Sequence, residues 1–379
     1  MHIPFNKPYL VGNEIRYIEE AVYTHAKLSG NGKFTNLCQD FFCERYKFKK
    51  CLLTTSCTDA LEMAALLIDI QPGDEVIMPS FTFVSTANAF VLRGAKIVFA
   101  DSLSDHPNID ADRIEELITP RTRAIVPVHY AGVACDMQKI MDLAERYGLY
   151  VIEDAAQAID SYYIGKDGRM RALGSIGHLA AFSFHETKNI ISGEGGMLVI
   201  NDEQFIKRAE IIWEKGTNRA AFWRGEVDKY GWVDVGSSFL PSEITAAFLW
   251  AQLEHLDAIQ DRRIRHWQAY YDGLAYMETQ QIAKRPRIPD FATNNAHMFY
   301  LLCRDEGLRS RIIEVLRRHG INAVFHYISL HTSKFYGVKY DGDSLPNCDY
   351  YSDVLVRLPM FYDLEADSIK NICNLINQI

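Results

Sequence analysis

Short apolar runs alternate with helical patterns over residues 51–202. Seven of these runs predict strands: residues 51–55 (CLLTT), 74–79 (DEVIMP), 96–101 (KIVFAD), 123–129 (RAIVPVH), 149–154 (LYVIED), 177–184 (GHLAAFSF) and 196–202 (GMLVIND). Their apolar positions are nearly continuous, which is typical of strands covered on both faces. Strands that alternate with helices predict an α/β fold with a mainly parallel sheet.

The helical patterns and the C-terminal third divide the chain further. Helical patterns follow four of the strands, over residues 59–68, 86–94, 111–119 and 136–148. Residues 203–275 are mostly helical, with an irregular stretch over 223–243. Beyond about residue 294, strands are predicted at 297–303 and 322–329, and helices at 309–320 and 367–379. We therefore predict a large domain over 1–250, and a connecting helix with a small α+β domain over 251–379.

Composition narrows the class of protein. Of 379 residues, 48% are hydrophobic and 23% charged, and the net charge of -9 comes without a basic patch, so we expect no nucleic-acid partner. No run of about 18 apolar residues predicts a membrane span. The start, MHIPFNKPYL, lacks the pattern of a signal peptide, and the eight cysteines include no CxxC pair. We therefore expect a cytoplasmic protein with reduced thiols and no metal site.

In an open α/β sheet, ligands bind beyond the carboxyl ends of the strands. The candidate site therefore consists of the residues that follow each predicted strand. These are residues 54–58, 79–83, 129–132, 154–157 and 183–188.

Two of these segments suit charged groups. Ser56, Cys57 and Thr58 precede a helical pattern in TTSCTDALEM, and free N–H groups at a helix start suit a phosphate. An ordinary helix cap explains the same residues. Asp154 ends a buried strand in VIEDAAQAID, where a carboxylate needs a cation or a hydrogen-bond donor. A structural salt bridge is the alternative.

Lys188 follows a predicted strand in SFHETKN. Desolvation makes such an amine a nucleophile, although a lone lysine is usually a solvated surface residue. An anion site, an acid and an amine at three strand ends match pyridoxal 5′-phosphate (PLP). Phe83 is placed to stack on the cofactor ring or to join the core, and Gly193, Gly195 and Gly196 permit close backbone approach after the lysine.

A nicotinamide-dependent dehydrogenase also has alternating strands and helices. It needs a GxGxxG turn after its first strand, and the corresponding stretch TTSCTDAL contains no glycine. The sequence therefore excludes this class. A PLP-binding protein without catalytic activity remains an alternative, although nothing in the chain favours it.

Eight blocks of sequence carry a resemblance to a known family. They are KLSGNGKFT, SCTDALEMAALLIDIQPGDEVIMPSFTFVSTANAFVLRGAKIVFAD, VPVHYAGVACDM, VIEDAAQA, SFHETKN, GEGGMLVIND, EKGTNR and NAHMFY. In these blocks, which span nearly the whole chain, the protein resembles the DegT/DnrJ/StrS sugar aminotransferases. The resemblance implies PLP fold type I, with a seven-stranded, mainly parallel sheet and a small C-terminal α+β domain.

The resemblance implies roles for individual residues. Lys188 and Asp154 are the implied catalytic residues: the lysine binds the cofactor aldehyde and moves the proton, and the acid pairs with the pyridine nitrogen. The further implied cofactor contacts are Gln157 at the ring hydroxyl, Phe83 on the ring face, and, at the phosphate, Thr58, the backbone amides of Cys57 and Asp59, and Ser183.

The sequence departs from the family pattern in two places. Many members have a GYN-x-R segment whose Asn reaches the phosphate of a neighbouring subunit, and here VGSSFLPS places Ser238 at that position and Leu240 at the Arg. The YxPLH segment appears as YISLH, with Ser329 replacing proline and His331 retained. His331 and His185 are candidate substrate contacts, with a packing histidine and a turn residue as the respective alternatives.

The implied reaction is a two-step transamination. An amino group from L-glutamate passes to the cofactor and then to the C4 ketone of dTDP-4-keto-6-deoxy-D-glucose, which gives dTDP-4-amino-4,6-dideoxy-D-galactose. Gluco stereochemistry at C4 and a C3 ketone are the alternatives. A family branch with histidine at the lysine position dehydrates instead, and Lys188 excludes it. The resemblance also implies a homodimer or larger homo-oligomer, and a route to surface polysaccharides such as enterobacterial common antigen.

Overall fold

The computed structural model describes residues 2–379. Its strands are β1 (Lys50–Thr54), β2 (Glu75–Pro79), β3 (Lys96–Ala100), β4 (Thr122–Ile125), β5 (Tyr150–Asp154), β6 (Tyr162–Ile164), β7 (Met170–Ala172), β8 (Leu179–Ser183), β9 (Gly196–Ile200), β10 (Ala283–Lys284), β11 (Phe299–Cys303), β12 (Val324–Phe325) and β13 (Leu355–Leu358). Its α-helices are α1 (Glu14–Glu19), α2 (Lys33–Tyr46), α3 (Cys57–Leu67), α4 (Val84–Val91), α5 (Met137–Tyr147), α6 (Ile206–Trp213), α7 (Arg219–Trp223), α8 (Glu243–Leu253), α9 (Leu256–Gly273), α10 (Ala275–Thr279), α11 (Glu306–Arg318), α12 (Pro346–Val354) and α13 (Ala366–Asn377).

The large sheet contains all seven strands that the apolar runs predict. Its order is β1-β9-β8-β5-β4-β2-β3. Six strands run in one direction, and β9, between β1 and β8, runs in the opposite direction. The prediction of a mainly parallel seven-stranded sheet is therefore confirmed. Because β5 and β8 are adjacent and parallel, the segments that follow them start side by side at one edge of the sheet.

One predicted helix, over residues 111–119, is wrong. Two short 3-10 turns, Ala111–Arg113 and Glu115–Leu117, occupy this stretch. Ile118 is already extended, and Pro120 disfavours helical backbone at Thr119. The side chain of Asp110 caps the first of these turns by accepting a hydrogen bond from the N–H of Asp112.

The C-terminal part contains a four-stranded antiparallel sheet of order β10-β11-β13-β12. The strand predicted over 322–329 is confirmed only at Val324–Phe325, because the chain then turns away toward the large sheet. There the backbone N–H of Leu330 donates to the carbonyl of Ser80 at 2.9 Å. The N-terminal arm also packs on this region, since the N–H of Ile3 donates to Gly320 O at 2.8 Å.

Residue 250, the predicted end of the large domain, lies within α8. The first residue of that helix, Glu243, is buried, and its carboxylate accepts hydrogen bonds from the backbone N–H groups of Gly32 and Phe34 at 2.9 Å each. This carboxylate caps α2, whose own N-cap residue is a glycine. The division of the chain at residue 250 stays a prediction. No helix within residues 2–379 has both the length and the apolar character needed to cross a membrane.

Glu153 organises the loop before β8. Its fully buried carboxylate accepts hydrogen bonds from the backbone N–H groups of Gly174, Ile176 and Gly177 at 2.8, 2.8 and 2.6 Å. His129 Nε2 lies 2.9 Å from the same carboxylate. Burial acts to raise the pKa of Glu153, but these donors outweigh it and hold the pKa below its usual value.

We predict that Glu153→Gln destabilises the protein in a pH-dependent way. A neutral amide cannot accept these bonds as strongly, which costs about 1–3 kcal/mol at neutral pH. Because the pKa of Glu153 is lower in the folded protein, the carboxylate stabilises the fold above the usual value of 4.5 and ceases to do so as the pH falls through the folded pKa. The difference in Tm between the two proteins should therefore shrink in acid.

The measurement is thermal unfolding of both proteins from pH 3 to pH 8, followed by circular dichroism. Glu145→Gln, at an exposed helical position, is the matched control and should leave Tm unchanged. Equal Tm values for the Glu153 variant and the wild type at neutral pH would show that the carboxylate does not hold this loop.

Candidate active site

A cavity of about 570 Å³ lies where the carboxyl ends of the large sheet face the C-terminal sheet. Eight residues that the sequence predicts for the site line it: Cys57, Thr58, Phe83, Asp154, Gln157, Ser183, His185 and Lys188. The remaining wall includes Phe5 of the N-terminal arm, two residues of α4 and several residues from the C-terminal part of the chain. The strand-end prediction therefore locates the cavity.

One end of the cavity is built by the start of α3. Ser56 is the N-cap, and its Oγ accepts a hydrogen bond from the N–H of Asp59 at 3.1 Å. Thr58 Oγ1 donates to Ser85 Oγ at 2.8 Å, so two hydroxyls meet beside the first turn of the helix. Ser183 at the end of β8 lines the same cavity. Hydroxyls and a helix N-terminus together suit a phosphate group.

Gly196 allows β9 to approach this helix start. A Cβ at position 196 would lie 2.3 Å from the carbonyl carbon of Ser56 and 2.4 Å from the backbone nitrogen of Cys57. No side chain fits into that space, so the glycine is required by close backbone packing. The close approach expected for the glycines is confirmed at this position.

Asp154 presents its carboxylate to the cavity from the end of β5. Thr86 Oγ1 donates to Oδ2 at 2.7 Å, and the N–H of Ala156 donates to Oδ1 at 3.2 Å. Burial raises the pKa of Asp154, and these donors and the charge of Lys188 only partly oppose it. A protonated ring nitrogen would supply the cation that this buried carboxylate lacks.

The turn after β8 carries Lys188. The N–H of Lys188 donates to His185 O at 2.9 Å, and the N–H of Glu186 donates to Gly193 O at 2.9 Å. His185 Nδ1 accepts the N–H of Thr187 at 3.2 Å, so this histidine shapes the turn as well as lining the cavity. Its role as a substrate contact stays a prediction.

Burial lowers the pKa of Lys188 to about 8, against the attraction of Cys57 and Asp154. The positive charge of Arg357 lowers it in the same direction. With this pKa, about a tenth of the amine is neutral at pH 7, far more than for an ordinary lysine, and the neutral amine is the form that attacks an aldehyde. The reactive lysine predicted from the sequence has the environment that this chemistry needs.

Gln157 and Phe83 both line the cavity, and both lie beside Tyr327. Gln157 Oε1 accepts the N–H of Ala131 at 2.6 Å, and its Nε2 donates to the hydroxyl of Tyr327 at 3.2 Å, which fixes the amide toward the cavity. Phe83 is half exposed, with its ring centroid 6.1 Å from that of Tyr327. An aromatic ring open to the cavity fits stacking on a cofactor better than a place in the core.

Three predicted residues lie outside the cavity wall. The side chain of Asp59 accepts a hydrogen bond from Ser56 Oγ at 3.0 Å, and the backbone N–H of Asp59 donates to the same oxygen at 3.1 Å, so both groups of Asp59 are engaged by the N-cap residue. His331 Nδ1 lies 2.8 Å from Ser80 Oγ and its Nε2 lies 3.4 Å from Asp349 Oδ1, in a buried contact between the two sheets. This contact fits the packing alternative for His331. Ser238 is exposed, in a loop beside Glu214.

The sequence did not indicate several cavity residues: Phe5, Ser85, Thr86, His297, His326, Tyr327 and Arg357. His297 is one of these residues, and its hydrogen bonds determine its protonation state. The amide nitrogen of Asn189 donates to Gln260 Oε1 at 2.8 Å, so its oxygen accepts from His297 Nδ1 at 2.9 Å. Nε2 of His297 therefore carries no proton, and burial keeps the ring neutral by lowering its pKa well below the usual value. The pattern NAHMFY contains this histidine, but only the folded chain brings it near Lys188.

Comparison with known proteins agrees with this geometry. The DegT/DnrJ/EryC1/StrS aminotransferase family matches residues 9–377. The chain belongs to this family. Its residues fit PLP, because the cavity combines a buried amine, a buried carboxylate without an ion-pair partner, and a hydroxyl-lined helix start. The protein is therefore a sugar aminotransferase that depends on PLP, and the predicted family, fold class, enzyme class and cofactor are confirmed.

Several solved structures are similar over the whole chain. DesV from S. venezuelae is 29% identical, with a TM-score of 0.84 and coverage of 100% of this chain and 98% of that one. An aminotransferase from Psychrobacter cryohalolentis is 28% identical, with a TM-score of 0.89 and coverage of 98% and 97%. TlmJ from Streptoalloteichus hindustanus is 27% identical, with a TM-score of 0.90 and coverage of 100% and 98%.

The chain's own residues divide the work of this aminotransferase. Bound PLP supplies an electron sink for carbanion chemistry. Asp154 would hold the proton on the ring nitrogen, with Thr86 fixing the carboxylate. Lys188 would bind the aldehyde, and its freed amine would move the proton during transfer. The start of α3 would hold the phosphate.

We predict that the rate at which cofactor-free protein binds PLP covalently rises with pH and levels off above about 8. Below the pKa of Lys188, the ammonium form cannot attack the aldehyde, and above it the amine is free. The measurement is the growth of the visible absorbance of the lysine-bound cofactor after mixing, from pH 6 to about pH 11, a range that includes the ordinary lysine pKa.

Lys188→Ala is the control and should not develop this absorbance. A midpoint close to the ordinary lysine pKa of about 10.4 would contradict the burial argument. Normal absorbance in the alanine variant would show that another amine binds the cofactor.

Proposed function

We propose that this aminotransferase converts dTDP-4-keto-6-deoxy-D-glucose to dTDP-4-amino-4,6-dideoxy-D-galactose. L-glutamate donates the amino group and leaves as 2-oxoglutarate, and the C4 carbonyl of the sugar becomes an amine. In the cytoplasm, such a dTDP-4-amino-4,6-dideoxygalactose transaminase supplies a precursor for surface polysaccharides such as enterobacterial common antigen.

One cavity contains a reactive lysine, a buried acid and the helix start that suits a phosphate, and this observation supports the proposal. Lys188 and Asp154 are the proposed catalytic residues. The sugar assignment rests on sequence likeness. The stretch VGSSFLPS, which replaces the common GYN-x-R segment, resembles the enzymes that form the 4-amino-galactose product.

Two neighbouring reactions use the same cofactor chemistry. The amine could be placed at C4 with gluco stereochemistry, or at C3 of a 3-keto sugar. Lys188 would move the proton and Asp154 would pair with the cofactor ring nitrogen, and neither role depends on which face of the sugar receives hydrogen. The groups that hold the sugar ring decide between these products.

We predict that the product has an axial amine at C4. Purified enzyme, PLP, L-glutamate and dTDP-4-keto-6-deoxy-D-glucose are incubated, and the product sugar is analysed by proton NMR. Small couplings of H4 to its neighbours indicate the galacto product. An equatorial amine at C4, or an amine at C3, would refute the assignment, and the same mixture with Lys188→Ala is the control.

We also propose that the active enzyme is a homodimer or larger homo-oligomer with shared sites. Ser238 lies outside the cavity of its own chain, on a loop whose surface includes Trp232, 84% exposed. An exposed tryptophan beside polar loop residues suits contact with a second copy. Ser238 of that copy would then approach the cofactor phosphate from across the interface.

We predict that two inactive variants restore activity when they are mixed. Lys188→Ala lacks the amine, and Ser238→Glu places a negative charge where the neighbour's phosphate binds. A hybrid dimer has one site with neither change, so denaturing and refolding the two together should give partial recovery of transamination. No recovery despite hybrid formation would show that Ser238 acts within its own chain or not at all. Light scattering checks the oligomeric state, and a fully active monomer would exclude a shared site.

A further inference from the structure

Arg357 is a cationic residue of the cavity for which the protein provides no anion. It lies on β13 and lines the same cavity as Lys188. Its Nε is buried and has no hydrogen-bond partner. No carboxylate within residues 2–379 is among the groups that act on its charge, which are Tyr130 and Tyr327.

The partners that Arg357 does have are neutral. Its Nη1 donates to His326 Nε2 at 3.2 Å, so that nitrogen carries no proton. His326 Nδ1 then carries the proton and donates to the Tyr130 hydroxyl at 3.2 Å. The guanidinium also lies 4.8 Å from the ring centroid of Phe5. A buried cation among neutral groups is costly, and an anionic ligand would remove that cost.

The C-terminal sheet fixes the position of Arg357. On one side it is opposite Tyr300 in β11, and on the other side it is opposite Val324 in β12. A guanidinium held on a central strand is prepared to bind two oxygens of a carboxylate or phosphate side by side. The site therefore includes a second anion-binding group, apart from the helix start that suits the cofactor phosphate.

The possible anionic ligands differ in how far their negative charge lies from the reacting atom. Arg357 and Lys188 line the same cavity, and the charge of Arg357 lowers the pKa of Lys188. An amino acid carries its carboxylate on the same carbon as the amine that it transfers. The diphosphate of the sugar nucleotide is attached to C1, across the sugar ring from a reacting C4. A group close to the lysine therefore suits the amino-acid carboxylate.

We propose that Arg357 binds the carboxylate of the amino donor, the one adjacent to the transferred amine. This inference rests on the proposed function, in which an amino acid and a sugar nucleotide take turns in one cavity. When the sugar occupies the cavity, His326 and Phe5 remain as neutral neighbours of the guanidinium. Arg357 is thus a binding residue for the first half of the reaction only.

The test compares the two half-reactions in PLP-loaded wild type, Arg357→Gln and Arg357→Lys. With L-glutamate, cofactor absorbance in single-turnover mixing should show half-saturation at least about tenfold higher in Arg357→Gln, because a charged hydrogen-bonding partner is lost. Arg357→Lys keeps the charge without the fork and should lie between. With the pyridoxamine form and the keto-sugar nucleotide, half-saturation should be unchanged in all three. Arg317→Gln, an exposed arginine of α11, is the matched control.

A binding measurement without turnover supports the same test. Calorimetric titration of the PLP-loaded enzyme with glutarate, an unreactive dicarboxylate, should show binding to wild type and at least about tenfold weaker binding to Arg357→Gln. Tm and bound PLP of each variant are measured first. If Arg357→Gln does not fold, Arg357→Lys decides, with weaker glutamate and glutarate binding expected.

The outcomes separate this inference from the proposed function. Unchanged glutamate and glutarate binding in both variants would overturn it. Weakened sugar-nucleotide binding with unchanged glutamate binding would assign Arg357 to the diphosphate and overturn it as well. If wild type binds glutarate through Arg357 but does not aminate the keto sugar, the proposed function fails and the carboxylate site stands.

Discussion

The burial of Asp154 and Lys188 in one cavity is the constraint on which the rest of the site depends. Burial raises the pKa of the acid and lowers the pKa of the amine, so each charged form is disfavoured. The two groups attract each other but are not in ion-pair contact. Bound PLP would satisfy both groups. Its protonated ring nitrogen would pair with Asp154, and its aldehyde would react with the amine of Lys188. Cofactor binding therefore relieves a cost that the fold creates.

Two adjacent acids of β5, Glu153 and Asp154, have different hydrogen-bond partners, and this difference supports the arrangement. Glu153 and Asp154 point to opposite sides because side chains alternate along a strand. Glu153 is satisfied by three backbone N–H groups and holds the loop that leads into β8. Asp154 keeps only Thr86 and one backbone donor, which leaves its carboxylate available to the cavity. Within one strand, Glu153 is therefore held by hydrogen bonds, and Asp154 remains available to a cofactor.

The ends of the strands indicate from sequence alone which residues line one cavity. The positions of Thr58, Asp154 and Lys188 could be predicted because parallel strands bring their carboxyl ends to one edge. His331 and Asp59 could not be assigned this way. The ring of His331 contacts Ser80 and the backbone N–H of Asp59 donates to Ser56 Oγ, and both contacts form only in the folded chain. The short strand β12 was overestimated because its apolar pattern continues into the loop that lines the cavity.

The residues that were missed share a physical origin. Arg357, His326 and His297 come from the C-terminal part of the chain. Their placement depends on antiparallel pairing and on contacts between residues that lie 108 and 196 positions apart in the sequence. No local pattern encodes such contacts. Because the large sheet supplies the groups that suit the cofactor, its motifs reveal the chemistry. The C-terminal sheet supplies the charge that would recognise the amino donor, so donor recognition depends on long-range packing that the motif around Lys188 does not contain.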